Sequence, residues 1–327
     1  MQIGFVGIGA GAAAALLFAT VTSGSYLSIL LFYLAPLPIM IAGLGWSHWS
    51  ALIGAAAGSI LLAALFGGVF PLGFLAAVGA PGWWLSRLAM TARPAPGGES
   101  SNSLEISLDW FPPGMLVVWA ALIGAALVLI SIPMIGLDAA SFHAGMVRNL
   151  SRVLQVETGT PAGKPLNFPG VDNVARMLDV LAMVVPPAAA IVATVVSLID
   201  LWLAGRVVRF SSRLARPWPR LSEMAFPLWV AFLLAAAIGV SFAGGIAAIA
   251  ASVVAASLTV AYGVLGFAVL HEITRGLDSR PLLLGGVYAS VLVFGWPILV
   301  LSLLGLAETT VGLRGRVAAK RAATTKR

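Results

Sequence analysis

An all-α, polytopic transmembrane helical bundle of eight or nine spans is the fold class that this sequence predicts, and three observations predict it. Sixty per cent of the 327 residues are hydrophobic and only nine per cent are charged, where soluble domains carry about a quarter charged. Mean hydropathy is +1.01. From Met1 through Ser86 there is no Asp, Glu, Lys or Arg, and no soluble globule keeps such a stretch dissolved. A bilayer core about 30 Å thick takes about 20 apolar helical residues per crossing, so this block holds about four spans.

Turn-like breaks divide residues 1–90, the N-terminal membrane block. "TSGS", "WSHWS" and "GGVFP" separate spans near 3–22, 27–45, 50–66 and 69–90. The first lacks a basic leader and reads as a retained helix, with a cleaved signal peptide as the alternative. Residues 91–109, rich in Pro, Gly and Ser, read as a polar flexible loop, and a fifth span follows within 110–137. Residues 138–177 form an extramembrane loop with an amphipathic helix: Phe142, Met146, Leu150, Val153 and Leu154 share one face, Arg148, Arg152 and Gln155 the other. The C-terminal membrane block, 178–306, holds a span over 178–203, two in 224–270 divided at "SFAGG", and one over 282–306. A basic tail, 307–327, closes the chain.

Orientation follows the positive-inside rule. With the N-terminus cytoplasmic, Arg87, Arg93, Arg206, Arg209, Arg213, Arg216, Arg220, Arg275 and Arg280 fall inside, but nine crossings send the basic tail outside. Either one apolar segment between 224 and 306 does not cross, or one basic region lies on the unexpected side. The arginines of 206–220 read as contacts to anionic lipid or to a cytoplasmic partner. They are not interleaved with aromatics on a folded platform, which argues against nucleic acid.

The chain has no cysteine, so disulfides, thiolate metal sites and cysteine nucleophiles are excluded. In "LHEITRGLDSRP", His271 and Arg275 are four apart on one helix face, but Arg275 stands where a zinc-protease helix needs its second histidine, so no metal site follows. The segment reads as a helix end at the headgroups, with gating or ligand contact as the alternative. Ser241 and His271 lie at opposite ends of one span, about 45 Å apart, too far for a serine hydrolase. His48, between Trp46 and Trp49, fits an aromatic belt, and Asp200 and Glu308 read as interfacial anchors near helix ends. No P-loop, dinucleotide fingerprint or paired intramembrane carboxylates appear, so no catalytic residue, cofactor or carboxylate proton relay is expected.

Two patterns bear on packing and on a site. Gly7 and Gly11, and Gly54 and Gly58, present small-xxx-small faces for close helix approach. Prolines interrupt several spans: Pro36 and Pro38 in "ILLFYLAPLPIM", Pro81, the Pro186–Pro187 pair, and Pro297. A mid-helix proline frees backbone carbonyls that neighbours, hydroxyls or water must satisfy, and interrupted helices mark binding sites in transporters. Tyr33 adds a polar tip beside the first break, so Tyr33, Pro36 and Pro38 are the candidate lining of a small-molecule cavity, with His271 and Arg275 as further ligand candidates.

Taken in order, "GIGAGAAAALLFA", "LAPLPIMIAGLGWSHWSALIGAAAG", "LWLAGRVVRFSSRLARPWPRLSEM", "VLHEITRG" and "LLGLAETTVGLRGR" resemble the YybS-like family of predicted bacterial membrane proteins. The resemblance spans most of the chain outside 91–109 and 155–177. That family is distantly similar to the substrate-binding membrane subunits of energy-coupling-factor vitamin transporters. The resemblance implies a multi-pass protein of the bacterial inner membrane, with the proline-broken second span and the glycine-rich third bordering a small-molecule cavity. The competing function is a non-transporting scaffold or regulator that uses the arginine segment and the basic tail.

Overall fold

In the computed structural model, residues 1–94, 108–161, 166, 171, 173–220, 223–317 and 319 are described. They form an all-α bundle in which six helical segments are long and apolar enough to cross a bilayer. Most of the 91–109 loop, most of 162–172 and the lysines and arginines beyond residue 319 lie outside the described residues.

The N-terminal elements end where the sequence signals them. Helix α1 (Gln2–Ala19) passes through a 3₁₀ turn to Gly24, whose φ of +64° only glycine adopts without strain. Ser25 then caps α2 (Tyr26–Tyr33), accepting from the Ser28 N–H, and α3 (Pro36–Gly45) follows. Ser47 caps α4 (His48–Leu65). The fourth segment is α5 (Phe70–Phe74), a π-helical stretch (Leu75–Gly79) and α6 (Ala80–Ala89). The ends of the 91–109 loop pair as an antiparallel ladder of β1 (Ala92–Pro94) with β2 (Leu108–Trp110), where the sequence suggested only flexible chain.

Helix α7 (Pro113–Ile135) leads to α8 (Ala139–Thr158), the amphipathic helix. Its first half docks on the bundle: Phe142 and Met146 are buried with Ile132 and Ala182, and His143 Nε2 lies 3.4 Å from Asp179 Oδ1. Its second half turns Val153 and Val156 outward. Asp138 starts α8 with a capping box, its carboxylate accepting from the Ala140 and Ser141 N–H groups while Ser141 Oγ accepts from the Asp138 N–H. These bonds favour the charged form and hold the Asp138 carboxyl below its ordinary 3.8. Because the folded value is depressed, the cap's contribution is complete above 3.8 and is lost as pH falls through the lowered value. Protection of the first-turn amides of α8, relative to their intrinsic exchange rates, is therefore expected to fall only in acid, and Asp138→Asn is expected to cap without that response. An unchanged acid response in the Asn variant would contradict the assignment.

Helix α9 (Val174–Phe210) has 37 residues and passes through Pro186 and Pro187 without a break, so the expected interruption of the sixth span is absent. At 1.5 Å per residue it is about 55 Å long, well beyond a bilayer core. It packs on α3, α7, α8 and α11 and is the strut between the two halves. The C-terminal half comprises α10 (Leu228–Ser241), α11 (Gly245–Ile273), α12 (Arg280–Phe294) and α13 (Pro297–Val311). The span expected over 282–306 is divided where its proline signalled an interruption: Gly295, at φ +71°, ends α12, and Pro297 opens α13. Arg314 meets both carboxylate oxygens of Glu308, its N–H and Nε each donating at 2.9 Å, and Nη2 donates to the Met224 carbonyl at 2.7 Å. The start of the basic tail thus lies beside the end of the arginine segment.

Small residues set two close helix–helix seams. A Cβ on Gly11 would fall on the Gly54 carbonyl of α4, and one on Gly266 would fall on the Leu301 carbonyl of α13. Ser302 Oγ donates to the Thr259 carbonyl across the second seam.

Candidate functional site

At the break between α2 and α3, Pro36 and Pro38 offer no N–H, so the Phe32 and Leu34 carbonyls lose their regular partners. Both are re-satisfied locally, Phe32 O by the Ala35 N–H and Leu34 O by the Leu37 N–H, each at 3.1 Å. The chain has tightened to i→i+3 bonding for one turn.

Opposite this break sits the π-helical stretch of the fourth segment. Between them and α9 lies a cavity of about 100 Å³ lined by Tyr33, Pro36, Ala77, Val78, Leu127 and Ser197, among others. Pro38, although only half-buried on the next turn, is not in the lining. Tyr33 is 38 % exposed, at the outer edge of the bundle, and its ring meets Phe32, which in turn packs on Phe18 at 5.3 Å between centroids. A volume of this size holds several waters, since each needs about 10–15 Å³ of such space, and is well below the roughly 300 Å³ of a drug-sized pocket.

The α9 wall carries a residue that the sequence reading misplaced. Asp200 is 1 % exposed and lies ten residues before the helix ends at Phe210. It is an internal carboxyl, not an interfacial anchor. Its Oδ2 has no hydrogen-bond partner among the described residues. Arg206, the neighbour that suggested anchoring, points away, its guanidinium 5.7 Å from the Trp202 ring centre and 5.8 Å from that of Trp218. The six-position separation places Asp200 about 9 Å inward along the axis. Thr194, Ser197 and Asp200 form a polar line on the buried face of α9, each about one turn from the next. That line was legible as the small or polar series Ala190, Thr194, Ser197, Asp200, Ala204 at helical spacing.

The other candidate residues have local partners. His271 Nε2 is 2.8 Å from the Tyr288 hydroxyl, which joins α11 to α12, while Arg275 pairs with Glu272 at 3.1 Å. Among the described residues, neither lines the cavity at Tyr33. Ser241 donates to the Ile238 carbonyl and is separated from His271 by the whole of α11. Among the described residues there is no cluster of three or more metal-ligating side chains.

The five arginines do not behave alike. Arg206 and Arg209 flank Trp218, and Arg213 lies over Trp46 at 4.5 Å; all three are exposed. Arg220 is also exposed and lies 3.9 Å from Glu223. Arg216, expected at the lipid or partner surface, is instead 8 % exposed and donates to the Ala89 carbonyl at 2.9 Å and the Phe111 carbonyl at 2.7 Å. It staples the loop to both ends of the β1–β2 hairpin. Burial lowers its proton affinity from the ordinary guanidinium value, and the Glu223 charge partly restores it. In comparisons with known proteins, the chain matches no family model, no curated protein and no solved structure.

Proposed function

We propose that this chain binds or transports a small solute through the cavity at the α2–α3 break, in the bacterial inner membrane. One observation carries the reading: two interrupted helices face each other across a void that also reaches the polar line of α9. Irregular backbone at membrane depth is tolerated where it is buried in protein or lines a cavity, and transporters place binding sites there. The resemblance to YybS-like membrane proteins points the same way. Eight crossings fit best, with the N-terminus inside, because the Arg314–Met224 contact puts the start of the basic tail beside the arginine segment.

The cavity as packed admits water-sized occupants, so a larger cargo enters only after the walls separate. Native mass spectrometry of the full chain is expected to reveal a non-lipid small-molecule adduct. Ser197→Leu, which fills the void, is expected to reduce its occupancy at least tenfold, about 1.4 kcal/mol. A wild-type protein that retains lipid adducts but carries no solute would sink the transport reading. That outcome favours a second reading, a non-transporting scaffold or regulator. Its supporting observation is the exposed Arg206, Arg209 and Arg213 held against Trp218 and Trp46, a surface suited to anionic headgroups or an acidic partner.

A further inference from the structure

We propose that Asp200 is a proton-binding site: its carboxyl is protonated while the bundle is packed as here, and it releases the proton when water reaches the buried face of α9.

The inference starts from what surrounds Asp200. The side chain is 1 % exposed and its Oδ2 lacks a partner among the described residues. A lone carboxylate in such surroundings is far less favourable than one in water, and it persists only with a cation or by taking up a proton. Among the described residues, the elements packed on α9 bring no cation to Asp200. Helices α3 and α7 and the π-helical stretch carry no titratable side chain. The one charged residue of α6, Arg87, is exposed and lies over Trp83 and Trp84. On α11, Tyr262 is buried in a cluster with Phe226 and Val117 that also touches Leu198 of α9, and as a phenol it supplies no cation; His271 is bound to Tyr288, and Glu272 to Arg275.

The other charges lie at the ends. On α8, His143 contacts Asp179, and Arg148, Arg152 and Glu157 follow along a helix that meets the opposite end of α9. On α9 itself, Arg176 and Asp179 are about 30 Å or more from Asp200 along the axis, and Arg206 and Arg209 turn to Trp218. In the following loop Arg213 lies over Trp46, and Arg216 is held by two carbonyls. Protonation removes the charge and converts an acceptor-only group into one that can also donate.

The same helix face carries Ser197, which lines the cavity one turn away. Wetting of the cavity therefore reaches Asp200 next, and the proton passes to that water, leaving a carboxylate that the water hydrates. Proton binding stands on the surroundings of Asp200 alone, whereas its coupling to a transported solute rests on the cavity reading.

The test is infrared difference spectroscopy of the full chain in lipid nanodiscs across a pH jump, reading the carbonyl stretch of protonated carboxyl groups. The wild type is expected to show such a band at neutral pH. It should be absent from Asp200→Asn and unchanged in the exposed control Asp179→Asn. Carbon-13 aspartate labelling of the wild type, which shifts the band only if an aspartic acid produces it, decides the matter if the Asn variant does not fold. A labelled wild type without a shifting band, or an Asp200→Asn spectrum that superimposes on the wild type, overturns the proposal. A band present with no solute adduct leaves the proton site standing and removes the transport reading; a solute adduct with no band does the reverse.

Discussion

Gly11→Leu and Gly266→Leu are each expected to abolish recovery of the folded protein. At Gly11 the first side-chain carbon would clash with the Gly54 carbonyl, and at Gly266 with the Leu301 carbonyl. The obstacle in both cases is backbone, which cannot swing aside as a flexible side chain can. Helices in lipid gain nothing from hydrophobic association and depend on this close packing, so separating a seam removes what holds it. Even alanine tests the point, because two effects oppose each other. Glycine to alanine in a helix gains about 1 kcal/mol in propensity, whereas overpacking costs about 1–3 kcal/mol, so Gly11→Ala should be a net loss. Gly9 meets nothing within 4 Å, and Gly9→Ala should be neutral or slightly stabilising. Thermal unfolding in mild detergent separates the two positions. Equal melting of the Gly9 and Gly11 alanine variants would refute the close seam between α1 and α4.

Arg216→Met is expected to cost about 3 kcal/mol, because charged hydrogen bonds contribute about 1.5–3 kcal/mol each and two carbonyls lose theirs. The Ala89 carbonyl ends α6 and the Phe111 carbonyl precedes α7, so the damage should appear as lost protection at both ends of the β1–β2 hairpin. Arg216→Lys should recover less than half, since an ammonium is a point donor and cannot span two acceptors as the planar fork does. Raising pH in the wild type should not imitate the loss: burial lowers the guanidinium's proton affinity, yet arginine stays charged in proteins. Arg213→Met, on the surface over Trp46, should change stability by no more than about 1 kcal/mol. If Arg213→Met and Arg216→Met proved equally damaging, the staple would be wrong.

How far the sequence could be read depended on whether a residue's role is local. Helix ends set by Ser25, Ser47 and Gly24 were legible because capping and left-handed glycine are properties of a few adjacent residues. The amphipathic α8 was legible from its spacing. Asp200 was misread because Arg206 resembles a helix end, whereas α9 continues to Phe210. Arg216 looked like its four neighbours, since its burial is decided by where the distant hairpin brings Ala89 and Phe111 together. Pro186 and Pro187 are tolerated in a helix packed on several others, and no local pattern reports that packing. The break at Gly295 was legible through Pro297, because a glycine exit followed by a proline start is again a property of a few adjacent residues.

The two irregular walls of the cavity also determine how it can move. A regular helix bends only by rupturing ladder bonds, and in lipid a ruptured N–H or carbonyl has no water to turn to. Around Leu34 and Ala35 the bonds have already shortened to the 3₁₀ pattern, and over Leu75–Gly79 they have lengthened to the π pattern. Each wall can therefore change curvature by trading one hydrogen-bonding period for another, with every donor kept satisfied. Resistance to opening then comes from side-chain contacts such as Phe32 on Phe18, so aromatic packing in the first two helices, not backbone rupture, should set the rate at which the cavity breathes.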